Sequence, residues 1–404
     1  MRNLSKTFSQ GVGLAAILAL ILIAPMAQAD FDQALDDFKR GKYAEAAAGF
    51  QEIVDQQPEY DYGHFLLGMS LLKMSKYDDA ETSIQKALDI NDARFEYHHG
   101  LANVRYKAKN YAKTVAALKT GESLAADGAT KFALYRLRGL SYVALEKWAD
   151  AAQDLEAAKK LKKDPVVLDR LSLSYYKLRH YDKAVPVMRD ALAAKSDDSS
   201  LLMRMTNSLL NLGAEAKSDS EKDKYYGDAL VYAEKLAAVK SNDTDVTNLV
   251  GRAALGAKSY PKAEQAFKKV VAKDSKQCYA MVNLGKVYIG TEKWSSAEDI
   301  LTAAAECAPK MAVVYESLGF AMMKQKKLEP AIVQFNKALK IKPSGMTREM
   351  IRLCEENLNI AAQNANMDAE EQAQAEKNRI AAEENAKAEA AQKAWEEAQK
   401  KRDD

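Results

Sequence analysis

The sequence is short of the two residues that most often interrupt helices. Among 404 residues there are Gly 18 and Pro 8. It also has no long run of alternating β-branched residues, the usual signal of a strand. Ala, Leu, Lys and Glu are plentiful, and they lose little conformational freedom in a helical turn. The composition therefore predicts an all-α chain.

A basic excess is missing as well. The formal net charge is +2, and residues 1–29 carry two positive and no negative charges, which leaves 0 for the remainder. Proteins that bind nucleic acid neutralise phosphates with a surplus of Lys and Arg. Nucleic acid is therefore not an expected partner.

No apolar run reaches the roughly 20 residues that a membrane-spanning helix needs. The longest, Gly11 to Ala24, follows a basic N-terminus and precedes Ala27-Gln28-Ala29. This is the layout of a secretory signal peptide over residues 1–29, with cleavage between Ala29 and Asp30. We expect an extracytoplasmic protein, periplasmic in a Gram-negative bacterium, without stable membrane insertion after cleavage. The alternative is an uncleaved N-terminal membrane anchor.

One short phrase recurs along the rest of the chain: a polar residue, an aromatic residue or leucine, two spacers and a small residue, as in Lys76-Tyr77 with Ala80. Five of the eight intervals between the small residues are 34 residues long, the others being 37, 33 and 45. A fixed period of this size indicates stacked repeats. The small residues are Ala46, Ala80, Thr114, Ala151, Ala184, Ala229, Ala263, Ala297 and Ala331.

This recurring motif resembles that of the tetratricopeptide repeat (TPR) family, which has this period. The resemblance covers nearly the whole chain after residue 29. It implies an all-α, right-handed superhelical solenoid of about nine helix-turn-helix repeats over residues 30–343. Matching motifs are the Leu-Gly pairs Leu67-Gly68, Leu284-Gly285 and Leu318-Gly319, the large apolar residues Phe50, Phe267 and Phe335, and the terminal prolines Pro58, Pro309 and Pro343.

Three segments depart from the repeat. About eleven extra polar residues near 214–224 predict a lengthened first helix or a solvated loop, and the alternative is a partner-contacting loop. Residues 344–366 keep a helical apolar spacing and predict a capping helix. Residues 367–404 carry a net charge of −4 against +4 for the preceding repeats and cap. They predict a charged helical or disordered tail, acting as a spacer or as an interaction arm.

The family resemblance also implies that the first helix of each repeat, helix A, lines a concave groove. From the fourth repeat onward this lining is basic and rich in amides, which suits an extended peptide, since Arg binds carboxylates through two parallel hydrogen bonds. Asp169 and Glu316 interrupt it, and the alternative is a solvated face with internal ion pairs. Earlier repeats offer Phe65, Met69, Leu72, His99, Asn103 and Tyr106. The candidate groove residues are Arg136, Arg170, Arg204, Asn207, Asn248, Arg252, Asn283 and Lys286.

The three cysteines allow at most one internal disulfide. Cys278 opens helix A and Cys307 ends helix B of the eighth repeat, which puts both at the same end of an antiparallel pair. A disulfide is sterically possible there if the Cα atoms lie within about 7 Å. The alternative is two separate buried thiols. Cys354 is expected to be free.

Catalytic and cofactor motifs are absent: there is no Gly-x-Ser-x-Gly, phosphate-binding loop, His-Glu-x-x-His or dinucleotide fingerprint. His98 and His99 are adjacent and point about 100° apart on a helix, so they do not converge on a metal. His64 and His98 occupy the same repeat position, which favours a packing role. We expect no enzyme activity, cofactor or metal.

These observations predict a non-catalytic scaffold or adaptor of the cell envelope that binds a partner protein or peptide in the groove. The alternative is a structural assembly factor that self-associates through its tail and outer surface, so a homo-oligomer stays open.

Overall fold

The computed structural model describes the backbone of residues 25–403 and the side chains of residues 30–394. Most of the predicted signal peptide, residues 1–24, lies outside the described residues, and its cleavage stays a prediction. The expected cleavage point between Ala29 and Asp30 falls inside the first helix, Pro25–Lys39.

The described residues form α-helices, one short 3₁₀-helix and no strand, so the all-α prediction is confirmed. Within them, no helix combines the length and the apolar character that a membrane span requires. The helices are α1 Pro25–Lys39, α2 Tyr43–Gln56, α3 Asp61–Lys73, α4 Tyr77–Ile90, α5 Phe95–Lys107, α6 Tyr111–Thr120, α7 Gly128–Ala144, α8 Trp148–Leu161, α9 Pro165–Lys177, α10 Tyr181–Ala194, α11 Ser199–Glu215, α12 Asp219–Val239, α13 Thr244–Gly256, α14 Tyr260–Lys273, α15 Cys278–Gly290, α16 Trp294–Cys307, α17 Ala312–Lys324, α18 Leu328–Ile341 and α19 Gly345–Asp403. The 3₁₀-helix, Glu122–Leu124, follows α6.

The first eighteen helices form nine pairs, each joined by a short turn, as the nine recurring phrases predict. In every pair the odd-numbered helix is helix A and the even-numbered one helix B. Each pair also packs on the next helix A within the same compact unit. The chain divides into unit 1, Met1–Ser241, and unit 2, Asn242–Asp404. Unit 1 holds α1–α12, and unit 2 holds α13–α19.

In eight of the nine described repeats, all but the sixth, the turn between helix A and helix B contains a residue in the left-handed region. After α3, the Lys76 amide donates to the Leu71 carbonyl at 3.0 Å and the Ser75 amide to the Leu72 carbonyl at 3.0 Å, which is the Schellman pattern of a helix C-terminus. Glycine normally fills the left-handed position, but among the described turns only Gly41 does so. Seven other residues have positive φ, namely Ser75, Lys109, Glu146, Arg179, Lys258, Glu292 and Lys326.

A small residue lets the two helices of a pair cross closely. A Cβ atom added to Gly285 on α15 would lie 2.5 Å from Cγ of Leu301 on α16. At Gly68 on α3 the corresponding distance to Cγ1 of Ile84 on α4 is 2.4 Å. Both leucine and isoleucine are fully buried. The Leu-Gly pair is therefore the point at which helix B fills the space that helix A leaves open.

The extra residues of the sixth repeat extend both of its helices. Helix α11 has 17 residues and α12 has 21, whereas α13 and α14 have 13 and 14. Ser218 caps the start of α12 by accepting a hydrogen bond from the Glu221 amide at 3.2 Å. The insertion near 214–224 thus lengthens both α11 and α12, and it does not form a long loop.

Residues 344–366 and 367–404 do not form separate elements. Helix α19 runs over 59 residues from Gly345 to Asp403 without a break at residue 366. Its start packs on α18 and α17 as a cap, with Thr347 and Cys354 buried. Of the two alternatives for the tail, the structure has the helix.

The left-handed turn residues give a stability prediction. Lys109 has φ 61° and is exposed, so replacing it with Gly removes the Cβ that disfavours this conformation. We expect Lys109→Gly to raise the free energy of unfolding by about 0.5–1 kcal/mol. The exposed Ala116 in the middle of α6 is the matched control, since Ala116→Gly should lower it by about 1 kcal/mol. Urea unfolding measures both, and a loss of stability in Lys109→Gly would contradict the account.

Candidate functional site

Helix A lines one side of each unit. In unit 1 the contacts α3–α5, α5–α7, α7–α9 and α9–α11 join successive A helices, and in unit 2 the contacts α13–α15, α15–α17 and α17–α19 do so. No two B helices make a comparable contact in the described chain. The A helices are therefore the more closely spaced, as on the inner side of a curved stack. We call these surfaces the inner face of unit 1, on α3, α5, α7, α9 and α11, and the inner face of unit 2, on α13, α15 and α17.

The arginines predicted on the inner face of unit 1 are engaged by aspartates. Arg204 on α11 forms an ion pair with Asp169 on α9, and its side chain is only 15% exposed. Arg170 lies 3.5 Å from the same carboxylate. Arg136 on α7 lies 3.6 Å from Asp164, which also caps α9. These charges are neutralised within unit 1, as in the alternative of internal ion pairs.

Asn207 is also committed to its own helix. The Asn207 side-chain amide donates to the Met203 backbone carbonyl at 3.0 Å. The Asn207 backbone carbonyl accepts from the Asn211 side-chain amide at 2.7 Å. Arg204 Nε is buried without a hydrogen-bond partner. Because this unpaired donor is buried, the inner face of unit 1 near α11 exposes few free donors to a peptide.

The second and third repeats present a less charged inner face. Phe65 and Leu72 are buried, so the core holds these two predicted groove residues. His99, Asn103 and Tyr106 on α5 are half-buried. Burial lowers the pKa of His99 to about 4, and the charge of Arg136 acts in the same direction. His99 is therefore uncharged at neutral pH.

The predicted residues of unit 2 are far less constrained. Arg252 on α13 is exposed and makes no ion pair with a described residue. Lys286 on α15 is exposed too, yet the surrounding protein removes enough water to lower its pKa, and Glu316 opposes this only in part. The Asn248 Oδ1 atom is buried without a hydrogen-bond donor, and Asn283 is half-buried. This face keeps free cations and an unsatisfied acceptor.

These groups are suited to binding a protein segment. Arg252 and Lys286 can each pair with a carboxylate, and Asn248 Oδ1 can accept a hydrogen bond from a peptide N–H. The exposed Tyr279 ring at the start of α15 adds apolar surface, since 71% of that residue is accessible. In the described part of the chain, no three His, Cys, Asp or Glu side chains lie together as metal ligands would.

The histidines of the shared repeat position pack against turns. His64 and His98 are both buried, and each Nε2 lies 2.8 Å from the backbone carbonyl six residues earlier, at Pro58 and Asp92. The Tyr315 hydroxyl donates to the Pro309 carbonyl at 3.3 Å in the same way. The packing role predicted for these histidines matches this geometry.

The fourth repeat contains a buried ion cluster that the repeat motif does not predict. Arg138 donates from Nε and Nη2 to both Asp154 oxygens, at 2.7 and 2.9 Å, and from Nη1 and Nη2 to Glu122, at 2.6 and 3.0 Å. Arg138 and Asp154 are 7% and 5% exposed. The signal was present, because Arg138-Gly139 stands where other repeats have Leu-Gly. The cluster ties the 3₁₀-helix to α7 and α8, which is a structural role.

The electrostatics of this cluster follow from burial. Loss of hydration raises the pKa of Asp154 even though Arg138 stabilises its charged form. The hydrogen bonds from Arg138 lower the pKa of Glu122, which is more exposed.

Cys278 and Cys307 form a disulfide whose Cα atoms are 5.6 Å apart. It joins the first residue of α15 to the last residue of α16 in unit 2. Cys354 is free and buried against α18, and burial raises the pKa of its thiol. This thiol is therefore poorly reactive.

Comparison with known proteins agrees with the repeat assignment. A tetratricopeptide repeat family model matches residues 31–93 and 65–129. A BBSome complex member homolog from Drosophila melanogaster is 23% identical over 317 residues, 76% of this chain and 63% of the relative. The Hsp70-Hsp90 organising protein of Plasmodium falciparum is 25% identical over 173 residues, 42% of this chain and 24% of the relative. The chain thus spans less than two thirds of either relative.

Solved structures with similar folds have low identity. The C-terminal part of a TPR repeat-containing protein from Cytophaga hutchinsonii has a TM-score of 0.46 at 19% identity, covering 63% of this chain and 99% of that one. YrrB, described as a TPR protein with an unusual peptide-binding site, has a TM-score of 0.38 at 17% identity, covering 49% and 96%. MamA from Desulfovibrio magneticus has a TM-score of 0.39 at 20% identity, covering 46% and 98%.

The helix pairs that stack within each unit define an α-solenoid repeat protein. The family match and the recurring 34-residue motif make it more specific: residues 31–129 match tetratricopeptide repeats, and the same motif continues through the later helix pairs. Stacked repeats of this kind present extended binding surfaces in other proteins.

The ion cluster gives a second prediction. Arg138→Leu restores the Leu-Gly pair but leaves the Asp154 carboxylate buried without its partner, and we expect a loss of about 3–5 kcal/mol in unfolding free energy. Adding Asp154→Ala removes the uncompensated charge, so the double variant should recover most of that loss. Urea unfolding of both variants tests this, and a double variant no more stable than Arg138→Leu would refute it.

The disulfide gives a third prediction. In the chain-entropy model the bridge contributes roughly 3–4 kcal/mol, so Cys307→Ser should shift the unfolding of unit 2 to lower urea. Cys354→Ser is the control, and it should leave the response to reductant unchanged. If reductant does not alter the unfolding of the wild-type chain, the bridge has no stabilising role.

Proposed function

We propose that this protein is a non-catalytic scaffold or adaptor of the cell envelope and binds a segment of a partner protein on the inner face of unit 2. The single observation that carries the proposal is the contrast between the two inner faces. Unit 1 pairs its arginines with Asp164 and Asp169, whereas unit 2 leaves Arg252 and Lys286 without an ion pair.

The chemistry of unit 2 favours a partner that presents carboxylates along its backbone. Free cations attract acidic side chains over a distance and set the register of binding. The unsatisfied acceptor of Asn248 gains a donor when a peptide N–H or a side-chain amide reaches it, which removes the cost of a buried unpaired atom. An apolar anchor against Tyr279 would add burial at the edge of the face.

The envelope location rests on the sequence. The apolar segment Gly11 to Ala24 and the Ala27-Gln28-Ala29 motif favour export, and the disulfide between Cys278 and Cys307 suits an oxidising compartment. Retention of the segment as an N-terminal anchor is the alternative location. Both place the repeats outside the cytoplasm.

Photo-cross-linking in cells tests the proposal, and is our fourth prediction. A photoreactive phenylalanine at Tyr279 should cross-link a partner on the inner face of unit 2. The same residue at Val333, which is 52% exposed on the B helix α18, is the matched control. Arg252→Glu with Lys286→Glu should abolish the adduct at position 279, because carboxylates then face carboxylates.

Charge-matched variants on the B helices provide the second control. Lys269→Glu with Lys340→Glu makes the same change in net charge at exposed positions of α14 and α18, and it should leave the adduct intact. Two outcomes would count against the inner face as the binding surface. One is an equal yield of adducts at positions 279 and 333, and the other is an adduct at 279 that survives charge reversal of Arg252 and Lys286.

A further inference from the structure

Helix α19 leaves the repeats soon after it caps them. Thr347 and Cys354 are buried and Leu358 is half-buried, but every described residue from 359 to 394 is exposed. At a rise of about 1.5 Å per residue, that exposed stretch is roughly 54 Å long. A helix that is polar on most sides and this long packs on nothing in its own chain.

Unit 2 separates its charges between the repeats and this helix. Residues 242–343 contain 16 Lys or Arg and 10 Asp or Glu, a net charge of +6, whereas residues 367–384 contain 2 and 6, a net charge of −4. Two acidic segments repel each other, so the tails of two copies do not favour pairing side by side. The opposite charges favour contact between a tail and a set of repeats.

One side of the acidic segment is suited to such a contact. Ala369, Ala373, Glu376, Ile380 and Glu383 follow one another at intervals of 4, 3, 4 and 3 residues and therefore share one helix face. Ile380 is 45% exposed. This is the spacing by which an amphipathic helix binds a groove.

The two glutamates on this face have only a local partner. Both pair with Arg379 on the same exposed helix, at 2.7 Å for Glu376 and 2.6 Å for Glu383. Exposed ion pairs of this kind contribute little and are readily exchanged.

The inner face of unit 2 has cations at a matching distance. Arg252 and Lys286 are 34 residues apart and hold the same position in adjacent repeats, on the contacting helices α13 and α15. Packed helices lie about 8–10 Å apart. Glu376 and Glu383 are separated by two turns, or about 10.5 Å. A helix laid across α13 and α15 can therefore pair both glutamates at once.

The apolar side chains match as well. Leu255 and Ile289 are half-buried and lie three residues after Arg252 and Lys286, on the same side of their helices. Ile380, between the two glutamates, would rest against them.

The occupant belongs to another molecule. Glu376 lies about 27 Å beyond Leu358 along an unbroken helix, which does not turn back onto the repeats it has just left. We propose that the Ala369–Glu383 segment of α19 in one copy binds the inner face of unit 2 in a second copy. This rests on the proposed function of that face. Because the two contact surfaces differ, the association is head-to-tail and can extend beyond a dimer.

Reciprocal charge reversal in the full chain is the test. Glu376→Lys with Glu383→Lys (the tail variant) and Arg252→Glu with Lys286→Glu (the face variant) should each weaken self-association about tenfold or more, measured by sedimentation velocity at low salt. An equimolar mixture should restore it, because a lysine-bearing tail then meets a glutamate-bearing face and a native tail meets a native face. Glu371→Lys with Glu389→Lys makes the same charge change on the opposite side of α19 and should have little effect.

The outcomes separate this inference from the proposed function. A wild-type chain that stays monomeric up to about 1 mM overturns the inference. So does association that neither variant weakens, or a mixture that fails to recover. The proposed function fails separately, if the photoreactive residue at position 279 captures nothing in cells. If the tail variant is monomeric and still captures an envelope protein at 279, both stand, since the face then accepts a second ligand.

Discussion

The structure depends on a close crossing between the two helices of each repeat. Helix A offers a glycine or another small residue at the crossing, and a large side chain of helix B occupies the space, as Leu301 does over Gly285 and Ile84 over Gly68. One such pair leaves an apolar side uncovered, and the next helix A covers it. The stability of each unit therefore comes from contacts between neighbouring repeats. In unit 2 the start of α19 provides the last of these contacts, by packing on α17 and α18.

That arrangement determines which surfaces are free for function. The crossing and the stacking use the apolar sides of all helices, which leaves the inner side of the A helices to polar residues. In unit 1 those residues form ion pairs with one another, because the Asp169 carboxylate contacts both Arg170 and Arg204. In unit 2, Arg252 and Lys286 face an inner side with fewer acids, so binding a partner there breaks no internal ion pair.

Much of the fold could be predicted from the sequence because the repeat is enforced by packing. Ala80 and its equivalents must be small and Tyr77 and its equivalents large, so period and helix bounds follow from residue size. Polar partners are not constrained in this way. Arg138 could have been taken for a surface residue, and only the position of Asp154 and Glu122 shows that it is buried.

Residue size does not determine the polar contacts of the candidate site or the conformation of the tail either. Arg136, Arg204 and Arg252 look alike in sequence, and their different roles depend on whether an aspartate of another helix reaches them. The repeat position of Phe65 predicts a place in the groove, but Phe65 is buried in the core. The continuity of α19 could not be predicted either, because the alanine-rich composition of residues 367–404 allows a helix or a disordered chain.

The central claim is that the inner face of unit 2 is covered by protein in the cell. Lysine acylation of intact cells, compared with the purified chain at low concentration, measures this directly. The account predicts that Lys286 is protected several-fold in cells while the exposed lysines Lys269 and Lys340 on the B helices react equally in both samples. Equal reactivity of Lys286 in the two samples, or protection of Lys269 and Lys340 instead, would contradict it.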